Sequence, residues 1–241
     1  MKLPLSAQLC GVQPSAPTAA QSAPSLAEQA YEAVKALIFD FKLMPGDRFS
    51  ETELAERVQV SRTPLRQGLQ RLQREGFLQV YPKLGWQVAP LDFEVFDELY
   101  DLRILLECHA AARWCEAPER PQLAALAELW MQPQAQRPSD PAQVRDLDEA
   151  FHRQLVAGSA NREMMRLHGQ ITERIRIIRR LDFTKPLRVA ATFDEHAQIL
   201  RALTRRRADE AQRLIRAHIA QSKLEVRHIT LDVLYRARQR A

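Results

Sequence analysis

From Ser25 onward the chain sets apolar against polar positions with a helical period. Ser25-Leu26-Ala27-Glu28 reads as a capping box, after which Ala30, Val34, Leu37, Ile38 and Phe41 recur at helical spacing. That helix is expected to run up to the turn Met44-Pro45-Gly46-Asp47. A second capping box, Ser50-Glu51-Thr52-Glu53, opens a short helix with Leu54, Ala55 and Val58 inward. Ser61 then caps a third helix, with Pro64 tolerated in its first turn, Leu65, Leu69 and Leu72 as its buried stripe, and Gly76 at its end. Gly68 interrupts this helix and should cost it about 1 kcal/mol relative to alanine. The period then changes to two in Phe77–Tyr81 and Trp86–Ala89, joined by Pro82-Lys83-Leu84-Gly85, which is the pattern of a β-hairpin.

Three helices and a hairpin within residues 25–90 define a winged helix-turn-helix. Beyond residue 93 the period is helical throughout, with helices expected near 93–115, 119–131, 141–157, 161–181, 187–204 and 208–235. The fold expected is therefore mostly α: an N-terminal winged helix-turn-helix and a C-terminal antiparallel all-helical bundle over 93–235. Residues 1–24, with four prolines, five alanines and no acid, read as a flexible tail.

Composition narrows the class. A chain of 241 residues that is 46% hydrophobic and 27% charged is globular rather than disordered. No window approaches eighteen apolar residues, so no membrane span is expected. Cys108 and Cys115 lie seven apart on one helical face and should pack as small apolar residues, while Cys10 has no evident partner. With no CxxC pair, and with the start MKLPLSAQLCG too broken by Pro4 and Gln8 for a secretion signal, a reducing cytoplasm is expected.

Charge divides the head unevenly. Residues 28–60 carry seven acids and four bases, a local charge of −3, whereas residues 61–83 carry five bases against Glu75, a local charge of +4. The positive charge thus sits on the third helix and the hairpin tip. In a helix-turn-helix the first residues of the second helix meet base edges and phosphates, here Ser61, Arg62, Thr63 and Arg66, with Lys83 on the wing. A basic helix can also be no more than a solvated face; its junction with a capped helix and a wing favours double-stranded DNA as partner. The stretch LMPGDRFSETELAERVQVSRTPLRQGLQRLQREGFLQVYPKLGWQV resembles the head of the GntR family of bacterial transcription regulators. That resemblance implies base or phosphate contacts from Arg62 and Arg66, with Thr63 and the Gly85 region adding more. Thr52 stands where such heads often place a base-reading arginine, and Gln59 where a glycine is common.

Six histidines are scattered along the chain, and spacing singles out three. Asp148 and His152 are four apart on one helix. His196 and His218 lie eleven residues on either side of position 207, so an antiparallel helical hairpin brings both about 16 Å from its turn. One carboxylate and three imidazoles suit a borderline divalent metal such as Zn, Ni, Mn or Fe, with core or capping histidines as the alternative. Residues 93–235 also resemble the FCD branch of the GntR family, through Tyr100-Asp101-Leu102-Arg103…Glu107, Phe151-His152, Glu195-His196 and Ala217-His218. The resemblance implies a metal held by Asp148, His152, His196 and His218, Zn foremost, with positions left for a small carboxylate effector. Six helices rather than seven point to a VanR-like subgroup. Arg103 falls where the branch turns an arginine to the pocket; a salt bridge to Glu107 is the competing role. His109, His168 and His228 match no ligand position and are expected to be structural or solvent-facing.

The function expected is an effector-responsive transcription regulator, read as a repressor, acting as a homodimer on a near-palindromic operator with Phe96, Leu99 and Leu106 supplying dimer surface. The alternatives are a metal-dependent hydrolase, for which Glu149 and Glu195 would have to turn toward the ligands beside them, and an architectural DNA-binding protein with a structural metal. Neighbouring positions on a helix point elsewhere, and HExxH and GxSxG are absent, so no enzyme is expected.

Overall fold

The computed structural model describes residues 24–182, 186–228, 235, 236 and 239. The expectations for the tail before Pro24, for Cys10 and for helix at 229–234 fall outside them. The head runs α1 (Leu26–Phe39), β1 (Arg48–Phe49), α2 (Glu51–Val58), α3 (Arg62–Arg74), β2 (Leu78–Tyr81) and β3 (Gly85–Val88). Its antiparallel sheet has the order β1-β3-β2, with Val80 opposite Trp86 and Phe49 opposite Trp86 on the other side. The expected winged helix-turn-helix is therefore present, with one strand more than the hairpin pattern announced.

Three local readings need correction. α1 stops at Phe39, not at the Met44 turn, because Phe41 takes a left-handed φ of 56° and the Lys42 and Leu43 amides both return to the Leu37 carbonyl. Phe41 keeps its place in the core after the helix has ended, which is why the spacing seemed to run on. Ser61 stands at the N-cap of α3 but its side chain makes no capping bond, whereas Ser50 and Glu53 form both bonds of their capping box. The Ser25 hydroxyl caps Glu28 N alone, since the Glu28 carboxylate pairs with Arg71.

Gly68 has a packing reason. A Cβ there would lie 2.9 Å from Tyr31 N and 3.2 Å from Tyr31 Cα, so its absence lets α3 press onto α1. Leu65, Leu69 and Leu72 are buried with Ala30 and Val34. Gly85 is likewise fixed by structure, with φ +87° and the Phe49 carbonyl oxygen 2.7 Å from where a Cβ would stand. Gln59 closes α2 in a left-handed conformation (φ 56°), the geometry that favours glycine.

The bundle holds α4 (Phe93–Glu116), α5 (Pro121–Trp130), α6 (Pro141–Ala157), α7 (Arg162–Asp182), α8 (Pro186–Thr204) and α9 (Ala208–Arg227). α4 packs along α9, and α8 and α9 form the expected antiparallel hairpin around Arg205–Arg207. Trp114, Trp130, Phe151 and Phe193 fill its centre. Cys108 and Cys115 are free and buried. Phe96 and Leu99 are buried within the chain rather than offered to a partner; the large exposed apolar residues of α4 are Phe93, at its first position, Leu102 and Leu105. Among the described residues no helix is long and apolar enough to cross a membrane.

Candidate metal centre and DNA-binding face

α6 carries Asp148 and His152 on successive turns, α8 carries His196 and α9 carries His218. One ligand atom from each lies within 4.8 Å of all the others, and all four side chains are buried. Asp148 Oδ1 stands 3.6 Å from His152 Nε2, 3.5 Å from His196 Nε2 and 4.0 Å from His218 Nε2. The Nε2 atoms of His152 and His218 are 3.1 Å apart. Three imidazole lone pairs and a carboxylate oxygen therefore converge on one point.

Neighbours aim those atoms inward. His152 Nδ1 lies 2.6 Å from Glu107 Oε2, and His218 Nδ1 lies 2.5 Å from Glu195 Oε2. A carboxylate accepting from Nδ1–H leaves Nε2 as the lone-pair nitrogen, the tautomer that a metal needs. Asp148 Oδ2 accepts from Arg179, which leaves Oδ1 free to face the imidazoles. His196 is held by packing: its ring stacks on Phe151 at 3.8 Å and meets the edge of Trp130 at 4.2 Å. Both nitrogens of His196, and Asp148 Oδ1, are buried without a hydrogen-bond partner. Buried polar atoms without partners are costly, and a cation at the focus would satisfy His196 Nε2 and Asp148 Oδ1.

Electrostatics agree with a cation site. Burial and the neighbouring imidazoles and Arg188 push His196 and His218 well below the usual histidine range, so both are neutral at pH 7. Burial would raise Asp148, but the Arg179 guanidinium and the His152 and His196 rings hold it well below the usual carboxylate range.

Several members of this centre were not legible in sequence. Glu107 is fully buried and is its hub, meeting His152, His168 Nε2 at 3.0 Å and Arg103 Nε at 2.6 Å. Arg103 therefore makes the competing salt bridge, while its Nη2 is buried without a partner. His168 is buried beside the centre rather than at the surface, and its i−61 partner left no local trace. Contrary to expectation, Glu195 does turn toward a ligand; α8 and α9 lie close enough for it to reach across. Glu149 instead pairs with Arg176. His109 and His228 are exposed.

An ion-pair chain runs from α6, the helix that carries Asp148 and His152, to the head. Arg176 Nε binds Glu149 at 2.9 Å and its Nη1 binds Glu173 at 2.6 Å. Glu173 Oε2 meets Lys35 Nζ of α1 at 2.7 Å, Lys35 donates to Tyr31 Oη at 2.9 Å, and Tyr31 donates to Glu75 at 2.8 Å, at the end of α3. α7 thus contacts a ligand of the centre through Arg179 and the DNA-binding head through Glu173.

The candidate DNA residues lie at the surface of the head. Ser61, Arg62, Thr63 and Arg66 are exposed at the start of α3, and Lys83 is exposed at the wing tip with Gly85 half-buried behind it. Arg62 donates to Thr52 Oγ1. Arg66 binds both oxygens of Glu51, through Nε at 3.0 Å and Nη2 at 2.7 Å.

A winged helix-turn-helix joined to a helical bundle with a buried polar centre is the build of a DNA-binding transcriptional regulator. Residues 26–88 match the bacterial regulatory proteins of the gntR family and residues 98–221 match the FCD domain. The chain belongs to the GntR family of DNA-binding transcriptional regulators, in its FCD branch. It is 33% identical over 179 residues to the Nta operon transcriptional regulator of Aminobacter aminovorans, covering 74% of this chain and 84% of that one. It is 24% identical over 203 residues to the HTH-type transcriptional repressor RspR of Escherichia coli, covering 84% and 89%. The solved structure of E. coli McbR/YncC shares the fold, with a TM-score of 0.65 at 24% identity, covering 89% of this chain and all but 1% of that one (99%). The first two of these relatives are transcriptional regulators by name.

Proposed function

We propose that the chain is a repressor whose operator affinity is set by a small carboxylate bound at a divalent metal, zinc foremost, in the bundle. The observation that carries this reading is the convergence of Asp148, His152, His196 and His218 within 4.8 Å, with unpartnered buried atoms at the focus. Three imidazoles and one carboxylate suit Zn, Ni, Mn or Fe. A bound ion would supply coordination positions to carboxylate oxygens. The protein's own residues do the rest: Glu107 and Glu195 orient His152 and His218, Arg179 orients Asp148, and Arg103, with Nη2 unpartnered, would grip an anion. A ligand at this centre touches α6, α8 and α9 and, through Arg179, α7. The chain from Glu149 to Glu75 then gives a physical route by which strain there reaches α3.

Operator recognition would fall to Ser61, Arg62, Thr63, Arg66, Lys83 and the backbone at Gly85. Dimer formation is supported by the exposed Leu102, Leu105 and Leu167, which line a groove of about 1020 Å³ between head and bundle. Two heads on a near-palindromic site give the base contacts that one lacks. RspR, named as a repressor, supports that sign of regulation.

The test uses a duplex selected from random sequence by the zinc-loaded protein. Anisotropy titrations with a panel of small mono-, di- and hydroxycarboxylates should find one that weakens binding five- to 150-fold, a coupling of about 1–3 kcal/mol. The response should vanish after chelation. If loaded protein ignores every acid while retaining stoichiometric metal, the centre is structural and the sensor reading fails.

A further inference from the structure

Glu51 has no place in the expected DNA interface, yet it is the residue that holds Arg66. It occupies the first position of α2, locked there by the Ser50–Glu53 capping box. Its side chain is 19% exposed against 61% for Arg66, so the carboxylate is the anchored member of the pair. Trp86 Nε1, from the wing strand β3, donates to Glu51 Oε1 at 3.3 Å. One carboxylate therefore ties together α2, the start of α3 and the wing. The Arg66 hydrogen bonds hold it below the usual carboxylate range, so it is ionised at neutral pH.

The geometry of the grip decides what Arg66 has left to offer. A guanidinium has five N–H donors in a rigid plane. Glu51 takes Nε–H and one Nη2–H, which leaves the end-on edge of Nη1 and Nη2 directed outward. Two parallel donors on that edge match the O6 and N7 acceptors of guanine. The pair carries no net charge, so its pull on phosphate is weak, because non-specific attraction follows uncompensated cations. Arg62 is also anchored from α2, with Thr52 Oγ1 accepting from it, but a hydroxyl leaves its charge uncompensated.

We propose that Glu51 is a positioning residue for DNA recognition, which orients Arg66 for a base edge and neutralises its attraction to phosphate, so that Arg66 adds sequence specificity rather than general affinity. This rests on the reading of Arg66 as a DNA contact, and the test separates the two.

Wild type, Glu51→Gln, Arg66→Ala and the double variant are titrated with the selected duplex and with a scrambled duplex of equal composition, over a range of salt. Glu51→Gln should tighten binding to the scrambled duplex, steepen its salt slope by about one, and lower the selected-to-scrambled ratio about tenfold. In the Arg66→Ala background the same substitution should leave the selected-to-scrambled ratio unchanged, since there is no longer a guanidinium to place. Melting curves show that each variant is folded. Parallel weakening on both duplexes with an unchanged slope would make the pair a fold-stabilising contact only. An equal effect of Glu51→Gln on the selected-to-scrambled ratio with and without Arg66 overturns the positioning role. Arg66→Ala binding like wild type removes Arg66 from the interface, and the proposal falls with it.

Discussion

Replacing His196 by alanine tests the metal centre against a merely polar core. The perturbation removes one of four converging ligands and the ring packed between Phe151 and Trp130. Two terms follow. The four ligands span Asp148 to His218 and come from three helices, so the unfolded chain has no formed site and metal binding stabilises the fold by linkage. At free metal a thousandfold above Kd this is about 4 kcal/mol. For a chain of this size each kcal/mol moves Tm by about 2–4 °C, so chelation should lower the wild-type Tm by about 8–16 °C. The alanine also leaves a cavity, costing about 2–4 kcal/mol whether metal is present or not. The two terms separate in a four-way comparison by calorimetry, wild type and variant, each zinc-loaded and chelated. The variant should melt low in both states with a chelator shift of at most a few degrees, and should retain well under one equivalent of zinc by elemental analysis. His109→Ala, at an exposed histidine, should retain the full shift. A wild type whose Tm ignores the chelator, or a variant that keeps one tightly held zinc, refutes the centre.

Lys35→Met cuts the ion-pair chain between Glu173 and Tyr31; the change in selected-duplex affinity between zinc-loaded and chelated protein should shrink by about 1 kcal/mol, roughly fivefold, and an unaltered difference would show that the signal takes another route. Gly68→Ala should destabilise the head by about 1–3 kcal/mol in urea unfolding, because overpacking against the Tyr31 backbone outweighs the propensity gain of about 1 kcal/mol; a neutral outcome contradicts the close approach of α1 and α3. The Glu51 carboxyl titrates below its usual value, so the stability it contributes is fully present above about pH 4.3 and is lost as pH falls through the lowered folded value. NMR titration of that side chain should give a midpoint below 4.3 that moves up in Arg66→Ala, and a midpoint at the ordinary value would contradict the pairing.

Much of this fold is written in local pattern. The capping box at Ser50, the stripe Leu65-Leu69-Leu72, the hairpin of alternating residues and the breaks between bundle helices are rules of short range, and each element obeys them within a few residues. Even the approach of His196 and His218 follows from counting outward along a helical hairpin, because helical rise is constant. Where local pattern misled, tertiary contact had overruled it: Phe41 is buried by a left-handed turn rather than by continued helix, and Gly68, costly in an isolated helix, is required where two helices meet. β1 has only two residues and exists because β3 lies beside it.

The residues that aim the ligands were beyond reach for the same reason. Glu107 meets His152 across 45 positions and His168 across 61, and Arg179 meets Asp148 across 31. No periodicity encodes such pairs; they form because α4, α6 and α7 pack around one polar point that must be satisfied once water is excluded. The sequence by itself determined the helices, the wing hairpin and which residue types can bind metal and DNA. Only the packed structure decided that Glu107 and Glu195 orient the imidazoles and that Glu51 holds Arg66, since orientation inside a core is set by neighbours distant along the chain.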